Sequence, residues 1–290
     1  IKKLITKVIV FPVDAISVLK KFKNSIVNIA DLVWCPHVQK LDELDQFNKP
    51  YIYLPYASDL PKKIIPYEKR SNALFFQGNA HGLRKSLVKS LANKSKVKIE
   101  VQGKGWGNNE KNNLKYQSIS KSLNYFFKGS KRDIFKKIIL ETFTNKYFLK
   151  SVFNYPNRLL KEKVKIKNDN FNVLTQNNQK TLDEYKYTLG INFLFSNPNN
   201  FSYRLRDFEA PASGTCHFTQ SDPNLEGIFL PNKSMLYYKD CTDLTDLIKY
   251  YLLSEDGQAK AIEIARNARE IAKKNTWNSR LEKIINFFEN

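Results

Sequence analysis

Short runs of β-branched and aromatic residues alternate with stretches of helical spacing along most of this chain. That alternation is the strongest constraint on its fold. Strands joined through helices pair in parallel, and a parallel sheet is covered by helices on its faces. Val8–Phe11, Asp31–Cys35 and Tyr51–Leu54 read as short buried strands. Ile16, Leu19, Phe22 and Ile26 give residues 16–29 one apolar face, and residues 38–47 read as a polar helix. Pro55, Pro61 and Pro66 then mark a link between two domains. A second series follows, with a strand at Ala73–Phe76, a tight loop at Gly78–Gly82, a helix at Leu83–Leu91 and a strand at Val97–Val101. The same alternation resumes at Tyr187–Phe195 and continues through a helix from Tyr203, broken by Pro211 and ended at Gly214. Strands at Thr215–Thr219 and Met235–Tyr238 are separated by a turn at Asp222–Leu225. Helices at Thr242–Leu253, Gln258–Lys274 and Asn278–Phe288 complete the series.

Residues 108–185 interrupt the pattern. They are rich in Lys and Asn and read as an insertion, with a basic amphipathic helix pair over 117–153 carrying Ile119, Leu123, Ile134, Ile138, Phe143, Tyr147 and Phe148. Such a stretch either packs on the main domain or lies on an anionic membrane surface. The formal net charge is +20, which draws anions, anionic lipid or nucleic acid. Its make-up disfavours nucleic acid: 39 residues are Lys and only 9 are Arg, whereas base and phosphate readout favours the planar guanidinium fork. No run approaches the roughly 18 apolar residues of a membrane span. Cys35, Cys216 and Cys241 are widely spaced and form no CxxC pair, so neither a zinc site nor a disulfide framework is expected, and a reducing cytoplasm fits. The chain opens on Ile1 rather than a methionine, and is expected to be part of a longer protein.

The segment richest in chemistry runs from Arg204 to Thr215, Arg-Leu-Arg-Asp-Phe-Glu-Ala-Pro-Ala-Ser-Gly-Thr. Arg206 and Glu209 are three apart and share one helix face. Free N–H groups at a helix start suit a diphosphate, and a nearby carboxylate can accept both hydroxyls of a ribose. The plainer alternative is an ion pair capping the helix. His37 and His217, beside strands, read as structural histidines, and no Ser-His-Asp or Cys-His arrangement follows from the spacings.

From Tyr187 to about Phe288 the chain resembles the C-terminal half of GT-B glycosyltransferases, and most of all the spore-maturation type, with its pattern R-x-F-E-x-x-A-x-G. Arg206, Phe208, Glu209, Ala212 and Gly214 match it. Leu225-Glu226, Leu244–Leu252 and Asn275-Thr276-Trp277 with Arg280 are similar to later elements of the family. Phe75-Phe76-Gln77-Gly78 through Arg84 is similar to its strand, glycine loop and arginine, and Gly103-Lys104-Gly105-Trp106 to its G-x-G-W element.

The resemblance implies a nucleotide-sugar donor bound by the C-terminal domain, with no cofactor and no metal. Arg206, Glu209 and Arg84 would be the catalytic set, with Glu209 on the ribose and the arginines on the diphosphate. Gly78, Asn79, His81, Gly82 and Lys85 would approach the phosphates, Gly103 and Trp106 would border the base, and Arg204, Phe208, Gly214 and Thr215 would complete the donor site. The acceptor would be a glycan, a lipid-linked glycan or a protein, handled by a peripheral protein on the inner face of a membrane. Many relatives carry a second glutamate eight positions before the first, but Phe201 stands there. Asp14, at a strand end, is a candidate for acceptor contact, or else a turn-forming residue. The expected architecture is α/β, with two Rossmann-like domains facing a cleft. Residues 1–60 would be the end of an incomplete acceptor-side domain, 61–275 the donor domain with its helical insertion, and 276–290 a helix crossing back. A non-catalytic nucleotide-sugar-binding protein and a basic membrane- or RNA-associated protein remain alternatives.

Overall fold

The computed structural model describes residues 7–11, 29–37, 41, 44–80, 84–106, 170–175, 178–194, 197–201 and 203–289. Strands β1 (Ile9–Val10), β2 (Leu32–Cys35) and β3 (Tyr51–Tyr53) form a parallel three-stranded sheet in that order, with Ile9 opposite Leu32 and Val33 opposite Tyr51. All four residues of β2 are buried, as expected of a central parallel strand covered on both faces. Residues 16–28, the expected first helix apart from its final residue, lie outside the described residues. Of the polar helix expected at 38–47, the described part holds a single 3₁₀ turn at Asp45–Phe47.

The larger sheet is built from β4 (Ser71–Gln77), helix α1 (Arg84–Ser95), β5 (Ile99–Gln102), β6 (Phe171–Leu174) and β7 (Tyr185–Leu189). After β7 come a small hairpin of β8 (Phe193–Leu194) and β9 (Asn197–Phe201), helix α2 (Arg206–Ala212), β10 (Cys216–Gln220), the short α3 (Pro223–Glu226) and β11 (Leu236–Tyr238). Helices α4 (Cys241–Leu253), α5 (Glu255–Lys273) and α6 (Trp277–Glu289) end the chain. The six long-sheet strands run in the order β6-β5-β4-β7-β10-β11, every pair parallel. The chain therefore steps outward from β4 to β6, then returns to the other side of β4 and steps outward again. That reversal is the topological switch point of a doubly wound sheet, and ligands of such sheets sit outside the carboxyl ends of the strands there. The architecture is two Rossmann-like parallel sheets in one α/β chain.

Two sequence expectations change. The insertion expected over 108–185 does not extend to its C-terminal boundary: Phe171–Leu174 is an edge strand of the large sheet, with Ile99 opposite Phe171 and Val101 opposite Val173. The four-residue run was hidden by its Lys- and Asn-rich flanks. The helix pair expected over 117–153 lies outside the described residues. The strand expected at Tyr187–Phe195 starts earlier, at Tyr185, and stops at Leu189; Gly190 still donates to the Phe218 carbonyl at 2.7 Å, and Phe193–Leu194 belong to a separate strand.

Local chemistry fixes the helix starts. Asp240 accepts the Thr242 and Asp243 amides at 2.8 and 2.9 Å, Ser254 accepts that of Gly257 at 3.0 Å, and Asp222 caps α3, where Pro223 needs no N–H partner. Leu74, Ile99, Phe218 and Leu236 of the sheet pack against Val88 and Leu91 of α1 and Leu244 and Ile248 of α4. The segment after β3 is packed rather than solvated, with Tyr56 and Ala57 buried. Helix α6 lies on the smaller sheet: Ile284 joins Leu32, Trp34 and Leu54, and Arg280 donates to the carbonyls of Pro55 and Tyr56 at 3.0 and 3.3 Å. No described helix is long and apolar enough to cross a membrane.

Candidate functional site

A cavity of about 300 Å³ opens at the switch point. Its floor is the carboxyl end of β4 (Phe76, Gln77) and of β7 with the turn after it (Leu189–Asn192), and Tyr56 reaches it from the segment after β3. Three arginines converge on it: Arg84 from the first turn of α1, Arg204 from the segment before α2, and Arg206 from the first turn of α2. Among the described residues, Glu209 is the one carboxylate lining it. Arg206 Nη1 donates to Gln77 Oε1 at 2.7 Å and lies 3.2 Å from Glu209 Oε2. Arg84 Nη2 donates to the Ile191 carbonyl at 2.9 Å. Burial lowers the Arg84 pKa, and the charge of Arg204 lowers it further. The Nε–H groups of Arg204 and Arg206 are buried and have no hydrogen-bond partner among the described residues. A buried unsatisfied donor is costly, and two on neighbouring guanidiniums, beside a third arginine, make a cavity suited to an oxyanion with several acceptor oxygens.

The sequence-expected residues divide into three groups. Arg84, Arg204, Arg206 and Glu209 meet in the cavity. Gly78, Asn79 and Gly103 lie in the neighbouring loops, and Lys85 is the second residue of α1. Lys85 Nζ donates to the Gly105 carbonyl at 3.0 Å, Asn79 Oδ1 accepts the Lys104 amide at 3.0 Å, and Gly103, with φ of +142°, backs so closely onto Gly78 that a Cβ would stand 2.3 Å from its carbonyl oxygen. Trp106, Phe208, Gly214 and Thr215 are placed elsewhere. The Trp106 ring is buried against Phe76 and Phe171 and its Nε1 donates to the Gly78 carbonyl at 2.7 Å, so it pins the glycine loop. Phe208 is core, packed with Tyr56, Tyr203 and Phe229. Gly214 and Thr215 close the far end of α2, beside Arg70 and the Ala210 carbonyl. His81, Gly82 and Asp14 lie outside the described residues.

The sequence reading did not single out Gln77, Gly190, Asn192 or Asp207. Gln77 and Asn192 are ordinary polar residues at strand ends, and the strand order is what brings them together. His217, expected as structural, is fully buried, with Nε2 3.0 Å from Asp207 Oδ1 and Nδ1 2.8 Å from Thr188 Oγ1. Among the described residues, no group of three or more His, Cys, Asp or Glu could hold a metal ion.

Residues 154–286 match the glycosyl transferase-like family model. The matched segment contains Arg204, Arg206 and Glu209 along with the β7–α6 half of the large domain. The structure is also similar to solved ones: Anabaena HepE in complex with UDP and glucose (TM-score 0.57, 13% identity, covering 98% of this chain and 71% of that one), sucrose-phosphate synthase from Thermosynechococcus elongatus (0.52, 13%, 95% and 61%), and TarM of S. aureus (0.52, 18%, 93% and 46%). The fold is that of GT-B glycosyltransferases. The chain spans about half the length of TarM and under two thirds of the synthase. Comparison with functionally curated proteins gives no significant match.

Proposed function

We propose that this GT-B chain transfers a sugar from a nucleotide-sugar donor to a glycan, lipid-linked glycan or protein acceptor. The observation that carries this is the arginine cavity at the switch point, with two buried Nε–H donors lacking partners and one carboxylate beside them. In a nucleotide sugar the glycosidic bond breaks toward the diphosphate, and negative charge grows on its oxygens. Arg84, Arg204 and Arg206 are placed to receive that charge without reorganising, which is the most effective way to lower such a barrier. Glu209, held beside Arg206, is suited to accept hydroxyls of the ribose. The family match over residues 154–286 and the fold shared with HepE, crystallised with UDP and glucose, support the same reading.

The guanidiniums supply the charge a divalent cation would otherwise bring, so transfer is read as metal-independent, and EDTA should leave the rate unchanged. Retention of the anomeric configuration and the spore-maturation-type subfamily rest on resemblance; the anomer first formed, followed by proton NMR, decides the former. The net charge of +20 suits an anionic inner membrane face and a lipid-linked acceptor in polysaccharide assembly, and flotation with anionic liposomes tests that. The direct experiment is transfer from labelled nucleotide sugars: Arg206→Ala and Glu209→Ala should each lower it about 10²–10³-fold. Full activity in both variants would overturn the assignment. Phe201, where many relatives have a second glutamate, favours a second reading as a binding protein without turnover. Donor binding with neither transfer nor hydrolysis would select it.

A further inference from the structure

Beneath the arginine cavity lies a carboxylate that the proposed reaction does not use. Asp207, the second residue of α2, is wholly buried. Its Oδ2 accepts the Arg204 backbone N–H at 2.6 Å and the Asn192 side-chain amide at 2.8 Å, and its Oδ1 accepts the Thr219 hydroxyl at 2.7 Å and His217 Nε2 at 3.0 Å. The four donors come from the loop after β7, the segment before α2, and β10. One carboxylate therefore ties two walls of the cavity to the sheet. There is no slack in the arrangement: a Cβ on Gly190 would stand 2.8 Å from Asp207 Oδ1 and 2.9 Å from both His217 Nε2 and Thr219 Oγ1.

The run continues behind the imidazole: His217 Nδ1 lies 2.8 Å from Thr188 Oγ1, which lies 2.9 Å from Thr215 Oγ1, and Thr215 donates its hydroxyl to the Ala210 carbonyl at 3.1 Å. Asp207 is thereby linked through β10 and β7 to the far end of its own helix.

We propose that Asp207, anchored to β10 through His217 and Thr219, is a positioning residue that holds Arg204, Arg206 and Asn192 in place around the cavity. Three guanidiniums with one lining carboxylate repel one another, and the Asp207 bond to the Arg204 amide opposes that from below. The consequence for ligand binding rests on the donor reading above; the positioning itself does not.

The test uses the whole chain, whose three histidines and nine arginines give sparse nitrogen-15 spectra. Asp207→Asn should move the Arg204 and Arg206 Nε–H resonances and weaken UDP binding about tenfold or more. Glu100→Gln, which alters a hydrogen-bonded carboxylate elsewhere in the sheet, should leave both within about twofold at comparable loss of stability. Should Asp207→Asn not fold, Thr219→Val, which removes one of the four donors, should shift the same resonances by less. Unmoved arginine signals in the folded variants, or equal losses of UDP affinity in Asp207→Asn and Glu100→Gln, would overturn the proposal. If wild type binds no UDP, GDP or ADP, the donor reading falls, and the resonances alone decide the positioning role.

Discussion

The large sheet carries a cavity near each end, and the two differ in what their charges do. Near the amino ends of β4 and β7 lies the roomier one, about 400 Å³, lined by Arg70, Lys180, Glu100 and Glu184 among others. Arg70, Lys180, Glu100 and Glu184 all have partners. Lys180 lies 2.6 Å from Glu184, Lys98 lies 2.7 Å from Glu100, and the Tyr185 hydroxyl donates to Glu100. Arg70 gives Nε to the Ile65 carbonyl at 2.8 Å and Nη1 to those of Ser213 and Gly214 at 3.1 and 2.7 Å. The cavity at the carboxyl ends is smaller, yet among the described residues it holds three arginines to one lining carboxylate and two Nε–H groups without partners. Burial lowers the pKa of Arg70 and of Arg84 alike, but Asp183 acts against it at Arg70, whereas Arg204 adds to it at Arg84. Room alone does not mark a site. Charge left unmatched at a topological switch point does.

Substitutions at the two ends should therefore fail in different ways. The largest effect belongs to Arg206→Ala, which should lower transfer about 10²–10³-fold while the melting temperature stays within about 2 °C; a matching collapse of the melting temperature would make Arg206 structural. Arg70→Ala should do the reverse. It should cost about 2–4 kcal/mol in urea unfolding, because two buried carbonyls and a half-buried one lose their donor, while UDP affinity in the folded fraction stays within about twofold. A specific loss of affinity there would break the contrast. Smaller still is an acid effect at Glu100. Burial raises its pKa, but hydrogen bonds from Lys98, Tyr185 and Asn172 outweigh burial and set it below the usual carboxylate range. A depressed folded value means that its stabilisation is complete above the unfolded value of about 4.3 and is lost as pH falls through the folded one. Wild type should exceed Glu100→Gln by about 1 kcal/mol near neutral pH and lose that lead below about pH 4; a constant difference down to pH 2 would remove Glu100 from the account. The least effect is expected from Lys180→Met, an exposed pair whose loss should move the melting temperature by under about 1 °C.

Much of the fold was legible because β-α alternation is a local signal. β2, β4, β5, β10 and β11 fall where apolar runs predicted them, and the helices after Asp240 and Ser254 begin within a few residues of their expected starts. Phe171–Leu174 was not legible, since four residues in a polar, lysine-rich setting carry too little periodicity to stand out. Within the site, Arg206 and Glu209 could be paired from their i,i+3 spacing. Arg84, about 120 positions away, could be joined to them only through family resemblance. Asp207 could not be weighted from sequence at all: beside Arg206 it reads as a solvated helix residue. Its burial follows from the approach of Asn192, His217 and Thr219, 10 to 15 positions away, once β7 and β10 pair. Gly214 and Thr215 mislead in the other direction. They belong to a matching motif, but their place in it serves the turn from α2 into β10.

The central claim is that the arginine cavity takes the diphosphate of a nucleotide. The measurement that tests it most directly is a thermal-shift series with UDP, GDP, ADP, CMP and dTDP on wild type and Arg206→Ala in parallel. A ligand at 100 times its dissociation constant adds about 2.7 kcal/mol of stability, which such a series resolves readily. One of the nucleoside diphosphates should raise the wild-type melting temperature, and Arg206→Ala should lose most of that rise. A rise of equal size in both proteins would contradict it, as would the absence of any rise in wild type.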